Sequence, residues 1–202
     1  MQEYNDNLNL RDHIEENHAS QKAKYVKNII YGGLDGIITT FSIIAASVGA
    51  NLEMKTIIAM GVANLIADGL SMGLGDYLSS HFENKYINSE KSKEEYEYIH
   101  NKNYEIEELK ELYIGEGLSE EDANKIVDIL SKDGYKDIFI KHMVYLELGL
   151  QLPDNNPAKD GLVTFGSFLI FGFIPVFFYI VFYTSKVNYY DTFIIICFIS
   201  AT

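Results

Sequence analysis

Residues 56–80 read TIIAMGVANLIADGLSMGLGDYLSS. The segment carries only two charges, Asp68 and Asp76. A helix of about 20 residues crosses the apolar core of a bilayer, and an apolar run of this length is rare in a soluble domain. Two further segments pass the same test, residues 36–52 (GIITTFSIIAASVGANL) and residues 161–185 (GLVTFGSFLIFGFIPVFFYIVFYTS), neither with a charge. The expected fold class is therefore all-α, a polytopic helical membrane protein with three spans. A last uncharged stretch, TFIIICFISAT at 192–202, includes Cys197 and is too short to cross. The chain is expected to stop inside a fourth span, as a truncated form would.

Four segments follow from this partition. Residues 1–28 are a polar N-terminal arm, 29–82 a transmembrane hairpin closed by the short link NLEMK, 83–160 a polar insert, and 161–202 the third span and the start of a fourth. Basic residues assign the sides. Arg11, Lys22, Lys24 and Lys27 precede the first span, and Lys85, Lys91, Lys93 and Lys159 flank the insert, whereas the other side has only Lys55 and Lys186. Lysine and arginine concentrate on the cytosolic side, which places arm and insert in the cytosol. The insert is expected to be helical: one long helix over 91–117, a second begun by Ser119 as N-cap with an apolar stripe of Ile126, Ile129 and Leu130 and a stop at Gly134, and a third ending at Gly149 before Pro153.

The second span carries the first chemistry. Asn64, Asp68, Met72 and Asp76 are four apart, so on a helix they form a polar stripe that drifts by about 40° per step. A carboxylate at mid-membrane costs at least about 2.5–3.5 kcal/mol on insertion scales, and such groups face a cavity, a partner or an ion. Carboxylate, amide and thioether together suit a first-row divalent ion better than calcium or magnesium. Asp35, early in the first span, can complete the set. Gly69 and Gly73 lie on the neighbouring face, where small residues permit close helix contact in lipid.

In the insert, Glu94, Glu97, Glu105 and Glu108 repeat as two E-x-x-E pairs. On one helix they fall within about 80° of each other around the axis. A pair at i, i+3 can share one divalent ion, but on that helix the pairs would stand roughly 16 Å apart, too far for one ion to bridge both. Met143 and Glu147, at i, i+4, offer a sulfur and a carboxylate on one face. A solvated acidic helix is the plain alternative. Like charges on one face repel, however, and solubility alone would mix signs, so bound cations are the preferred reading.

The hairpin beginning YGGLDGIITTFSIIAASVGA, the stretch SMGLGDYLSS, and the insert ending in M-x-x-x-E-L-G-L before the third span resemble the vacuolar iron transporter family. The resemblance covers about residues 25–202 in three separated segments. It implies five transmembrane helices, a homodimer, and exchange of cytosolic Fe²⁺, and in many members Mn²⁺ or other divalent ions, for protons of an acidic store such as a vacuole. Metal ion and proton would be substrate and coupling ion, with no covalently bound cofactor. It further implies a translocation pathway at Asp35 and Met72, and cytosolic metal ligands at Glu94, Glu97, Glu105, Glu108, Met143 and Glu147. One position departs: Asn64 stands where the family carries a glutamate, and Asp68, one turn on, is the expected substitute.

The expectation is a secondary transporter and not an enzyme. Two rivals are weaker. A membrane-tethered metal buffer or sensor explains the insert but not Asp35 and Asp68. An intramembrane aspartyl protease would use GLGD at 73–76 and the YD at 190–191, but in reversed order and with Asp191 beside a span rather than within it. A net charge of −13 and the lack of a basic patch exclude nucleic acid as a partner.

Overall fold

The computed structural model of the chain describes residues 10–153 and 156–184. They form six helices, α1 (Leu10–Gly49), α2 (Met54–His100), α3 (Lys102–Gly115), α4 (Glu120–Leu130), α5 (Lys136–Leu146) and α6 (Pro157–Thr184), with a 3₁₀ turn at Asp133–Tyr135. No strand occurs among the described residues, as the all-α expectation requires. Three segments are long and apolar enough to cross a membrane: Tyr25–Gly49 of α1, α2, and Pro157–Val181 of α6. The expected fourth-span start at 192–202, with Cys197, Asp191 and Lys186, lies outside the described residues.

The chain divides into two compact units, one from the residues up to Ser79 and those from Asn155 onward, the other Ser80–Asp154. In the first unit, α1 begins within the polar arm and continues unbroken into the span. It ends in a Schellman turn. Asn51 takes a left-handed φ of 54°, its N–H bonds to the Val48 carbonyl at 3.0 Å, and the Leu52 N–H reaches the Ser47 carbonyl at 3.1 Å. Asn tolerates this conformation better than most residues, and the turn returns the chain as α2.

Glycines set how closely α6 approaches its neighbours. A Cβ on Gly36 would stand 2.5 Å from the Phe168 carbonyl oxygen, and one on Gly161 would stand 2.5 Å from the Gly73 carbonyl oxygen. Gly69 and Gly73 are therefore packed within the chain, against Phe165, Phe168 and Gly161 of α6. Ile44, Ile57, Leu65, Phe168, Val176 and Tyr179 form the apolar centre of this unit, with Met72 packed against it. One polar knot joins all three helices. The Asp76 carboxylate accepts hydrogen bonds from Asn28 Nδ2 at 2.9 Å and from Thr164 Oγ1 at 2.6 Å.

The second unit differs from expectation at one point that matters. The single helix expected over 91–117 is two helices, because α2 ends at His100 and α3 starts at Lys102. Asn101 between them has φ −132° and ψ 36°, outside the helical region. No Pro or Gly marks the break; packing makes it. Tyr98, Leu109, Val127, Phe139 and Met143 converge in one apolar cluster, which α2 and α3 can both reach only if the chain bends.

Downstream, Ser119 caps α4 as expected, its Oγ accepting the Asp122 N–H at 3.2 Å. The buried stripe of α4 is Ala123 and Val127 with Leu130 beside it, whereas Ile129 is exposed. Ala123 and Val127, four apart, place the buried face one position from the bulkier Ile126. The helix also stops earlier than Gly134, at Leu130. α3 closes in a Schellman turn at Gly117, with φ 103° and the Leu118 N–H on the Tyr113 carbonyl at 3.1 Å. Gly149 takes φ 63° just beyond α5.

Candidate metal centre

Glu94 and Glu97 lie on the last turns of α2, and Glu105 and Glu108 on the first turns of α3. The bend at Asn101 brings the two groups together. One carboxylate oxygen from each of Glu94, Glu97 and Glu105 lies within 4.8 Å of the others. This corrects the expectation that the two E-x-x-E pairs are too far apart to serve one ion. The axial separation of roughly 16 Å holds only on a continuous helix.

Two of the three carboxylates are buried, Glu97 is exposed, and the site is crowded with like charge. Glu94 is 4 % exposed and Glu105 3 %. Burial, then the charges of Glu147, Glu97, Glu105 and Glu108, push the Glu94 carboxyl up to about 7. Burial, with Glu108, Glu97 and Glu147, does the same to Glu105, also to about 7. Glu147 rises for the same reasons, opposed by a hydrogen bond with Glu94. Five carboxylates thus share one electrostatic neighbourhood. One Glu94 oxygen, Oε2, is buried with no hydrogen-bond partner. Buried polar atoms are rarely left so, and an acceptor that no donor reaches is suited to a cation.

Lysines of the same unit pair elsewhere. Lys93 binds Glu90 at 2.6 Å, Lys91 binds Glu95 at 3.3 Å, Lys110 binds Glu107 at 3.2 Å and Lys102 binds Asp133 at 3.1 Å. None of these ion pairs includes a carboxylate of the cluster. Such a group can hold a divalent cation through several hard oxygens, releasing protons as it binds. Met143 is 1 % exposed and sits in the apolar cluster with Leu109, Val127 and Phe139.

In the membrane unit the sequence-predicted residues are placed differently. Asp35 is exposed on the surface of the single chain, Asn64 and Asp68 are half-buried, and Met72 is half-buried against the apolar centre. Asn64 Nδ2 is buried without a hydrogen-bond partner. Asp76, the last of the stripe, is held by Asn28 and Thr164. Sequence reasoning missed Asn101. The signal available was the run IHNKNY at 99–104, in which only Lys102 is a strong helix former.

Comparison with known proteins assigns the family. The profile of the VIT family matches residues 26–202. The chain is 42 % identical over 168 residues to a vacuolar iron transporter of Toxoplasma gondii, covering 82 % of this chain and 55 % of that protein. It is 37 % identical over 194 residues to a vacuolar iron transporter of Plasmodium berghei, covering 93 % and 70 %. It is 30 % identical over 168 residues to vacuolar iron transporter 1 of Arabidopsis thaliana, covering 83 % and 66 %. The chain therefore spans about half the length of the Toxoplasma protein and about two thirds of the other two.

Proposed function

This chain belongs to the VIT family, and from that premise we propose that it serves proton-coupled transport of divalent metal, Fe²⁺ first, from the cytosol into an acidic compartment such as a vacuole. The observation that carries the reading is the convergence of the buried Glu94 and Glu105 with the exposed Glu97, their carboxylate oxygens within 4.8 Å. The relatives bear the printed name of vacuolar iron transporters, and a cluster of carboxylates suits the same class of ion.

In this reading the insert collects cations on the cytosolic side. Burial and the neighbouring carboxylates favour the protonated forms of Glu94 and Glu105. An arriving M²⁺ displaces those protons and relieves the repulsion among the five carboxylates. Glu108 and Glu147 complete the oxygen set, with Met143 the candidate sulfur donor. The ion then passes a membrane path that includes Asp35, Asn64, Asp68 and Met72. A carboxylate that alternately holds a metal ion and a proton provides the linkage an antiporter needs. Because Asn64 cannot titrate, Asp68 is the carboxylate assigned to proton coupling. Asp35 lies exposed on a single chain, and a carboxylate is not stable against lipid, so a second copy covering it supports a homodimer.

The test is metal uptake into proteoliposomes under an inward-acid pH gradient. Uptake of Fe²⁺, under anaerobic conditions, or of Mn²⁺ is expected to collapse with the gradient. Asp35→Asn should abolish uptake while leaving metal binding by the insert intact. Asp68→Asn should leave flux that no longer follows pH. Wild-type flux in Asp35→Asn would remove that residue from the path. A chain that binds metal and never moves it would be a membrane-tethered buffer.

A further inference from the structure

We infer that Asn101 is a positioning residue of the carboxylate site, ending α2 and starting α3 so that Glu105 meets Glu94 and Glu97. This rests on the cation-binding reading above and names the residue that assembles the site. Between Lys91 and Ile114 the chain has no Pro and no Gly, and on a straight helix Glu94 and Glu105 would be about 16 Å apart along the axis. The observed ligand oxygens lie within 4.8 Å, and the difference arises at Asn101, with φ −132° and ψ 36°.

Both sides of the site are hydrogen-bonded to this one residue. The Asn101 N–H donates to the Glu97 carbonyl at 2.7 Å, closing α2. The Asn101 carbonyl accepts the Tyr104 N–H at 2.8 Å and the Glu105 N–H at 3.2 Å, opening α3. A change in the Asn101 backbone therefore moves Glu97 and Glu105 relative to each other. The Asn101 side chain makes no capping hydrogen bond and is exposed. Its contribution is conformational, since Asn leaves the helical region more readily than a strong helix former such as Ala.

The break is anchored on both flanks. Tyr98 donates its hydroxyl to the Ser131 carbonyl at 3.2 Å and packs its ring on Phe139 at 4.8 Å between centroids. Lys102 pairs with Asp133 at 3.1 Å and lies 5.2 Å from the centre of the Tyr98 ring. Both ties lead to the turn after α4, away from the carboxylates. The bend is thus held by groups that donate nothing to a cation.

The experiment uses the full chain in detergent, with Mn²⁺ alone as the probe. Three quantities are read: Mn²⁺ affinity by calorimetry, thermal unfolding in EDTA and in saturating Mn²⁺, and the distance between nitroxides at Ser92 and Glu111. Asn101→Ala is expected to bind Mn²⁺ about threefold more weakly, the scale of the helix-propensity difference between Ala and Asn. Its unfolding temperature in EDTA should stay level or rise, and its Mn²⁺-induced gain should shrink. Its label distance should lengthen towards the roughly 28 Å of a continuous helix. Asn101→Ser and Asn101→Gly, which tolerate a helix end, should bind within about twofold of wild type. Wild-type affinity in Asn101→Ala would overturn the inference, as would equal loss in the Ser and Gly variants or a loss that merely follows lower stability in EDTA. A Glu94→Gln/Glu105→Gln variant separates the two ideas. If it loses Mn²⁺ while Asn101→Ala does not, only the positioning role falls. If it binds Mn²⁺ as wild type does, the cation-binding reading falls, and the positioning role with it.

Discussion

Glu105 shows how one residue can be poor for the folded chain and good for its ligand. Its carboxyl is 3 % exposed and raised to about 7 by burial and by Glu108, Glu97 and Glu147. Glu105→Gln removes that charge and keeps an oxygen in place. Two opposite effects are expected. Metal-free protein at pH 7 should become more stable, by on the order of 1 kcal/mol after allowance for solvent screening. Mn²⁺ affinity should fall at least about tenfold, the loss of one charged ligand among several. Unfolding curves in EDTA and calorimetric titrations check both. A variant less stable without metal would mean that Glu105 is held by an unrecognised favourable partner. At the same scale, Ser119 and Gly117 were legible in the sequence because a cap and a left-handed turn are decided by local chemistry. The bend at Asn101 was not, since the apolar cluster that holds it is drawn from α2, α3, α4 and α5.

Among the elements, the broken α2–α3 pair sets the pH behaviour of the insert. Glu94 and Glu105 have folded values raised above those of an unfolded chain. Their stabilising contribution is therefore complete below about pH 4.5 and is lost as pH rises through about 7. Metal-free insert should lose stability over that window, and Mn²⁺ should restore it at pH 7 but not at pH 5, where protons hold the site. Fluorescence-monitored unfolding of the full chain at these pH values is the measurement, and stability rising with pH in EDTA would contradict the burial of the two groups. In the membrane unit, the contact of α6 with α1 depends on Gly36. A Cβ there would meet the Phe168 carbonyl at 2.5 Å and the Gly172 nitrogen at 3.1 Å, so Gly36→Ala should cost about 1–3 kcal/mol as an overpacked contact. Gly75, whose added Cβ meets nothing within 4 Å, is the control, and Gly75→Ala should lie within about 0.5 kcal/mol of wild type. Equal effects of the two substitutions in detergent would show that the close approach is not under strain.

For the whole molecule, the glycine stripe changes how a dimer must be built. Gly69 and Gly73, whose spacing permits close helix contact, are both covered by α6 of their own chain. Asp35 remains exposed, and a second copy would have to shield it. A cysteine placed at Leu34 or Ile38, both exposed large apolar residues beside Asp35, should therefore form an intermolecular disulfide in membranes under mild oxidation. A cysteine at Gly73 should not. Cross-linking through Gly73, or a monomeric mass in membrane-like detergent at all concentrations, would count against an interface at Asp35.

The sequence by itself determined what depends on composition and on local geometry. Three apolar runs long enough for a bilayer, two of them uncharged and the third with only Asp68 and Asp76, specify the all-α class, because lipid leaves the backbone no other way to satisfy its hydrogen bonds along an isolated span. The E-x-x-E spacing specified only the neighbours within each helix, Glu94 with Glu97 and Glu105 with Glu108. Tertiary structure alone decided which faces meet. Asp76 is bound by Asn28 and Thr164, 48 and 88 residues away in the chain, and no periodicity announces such partners. The meeting of Glu94 and Glu97 with Glu105 likewise required Tyr98, Leu109, Phe139 and Met143 to bury one another. Burial of that apolar cluster outweighs the continuity of the helix, and the carboxylates are carried together as a consequence.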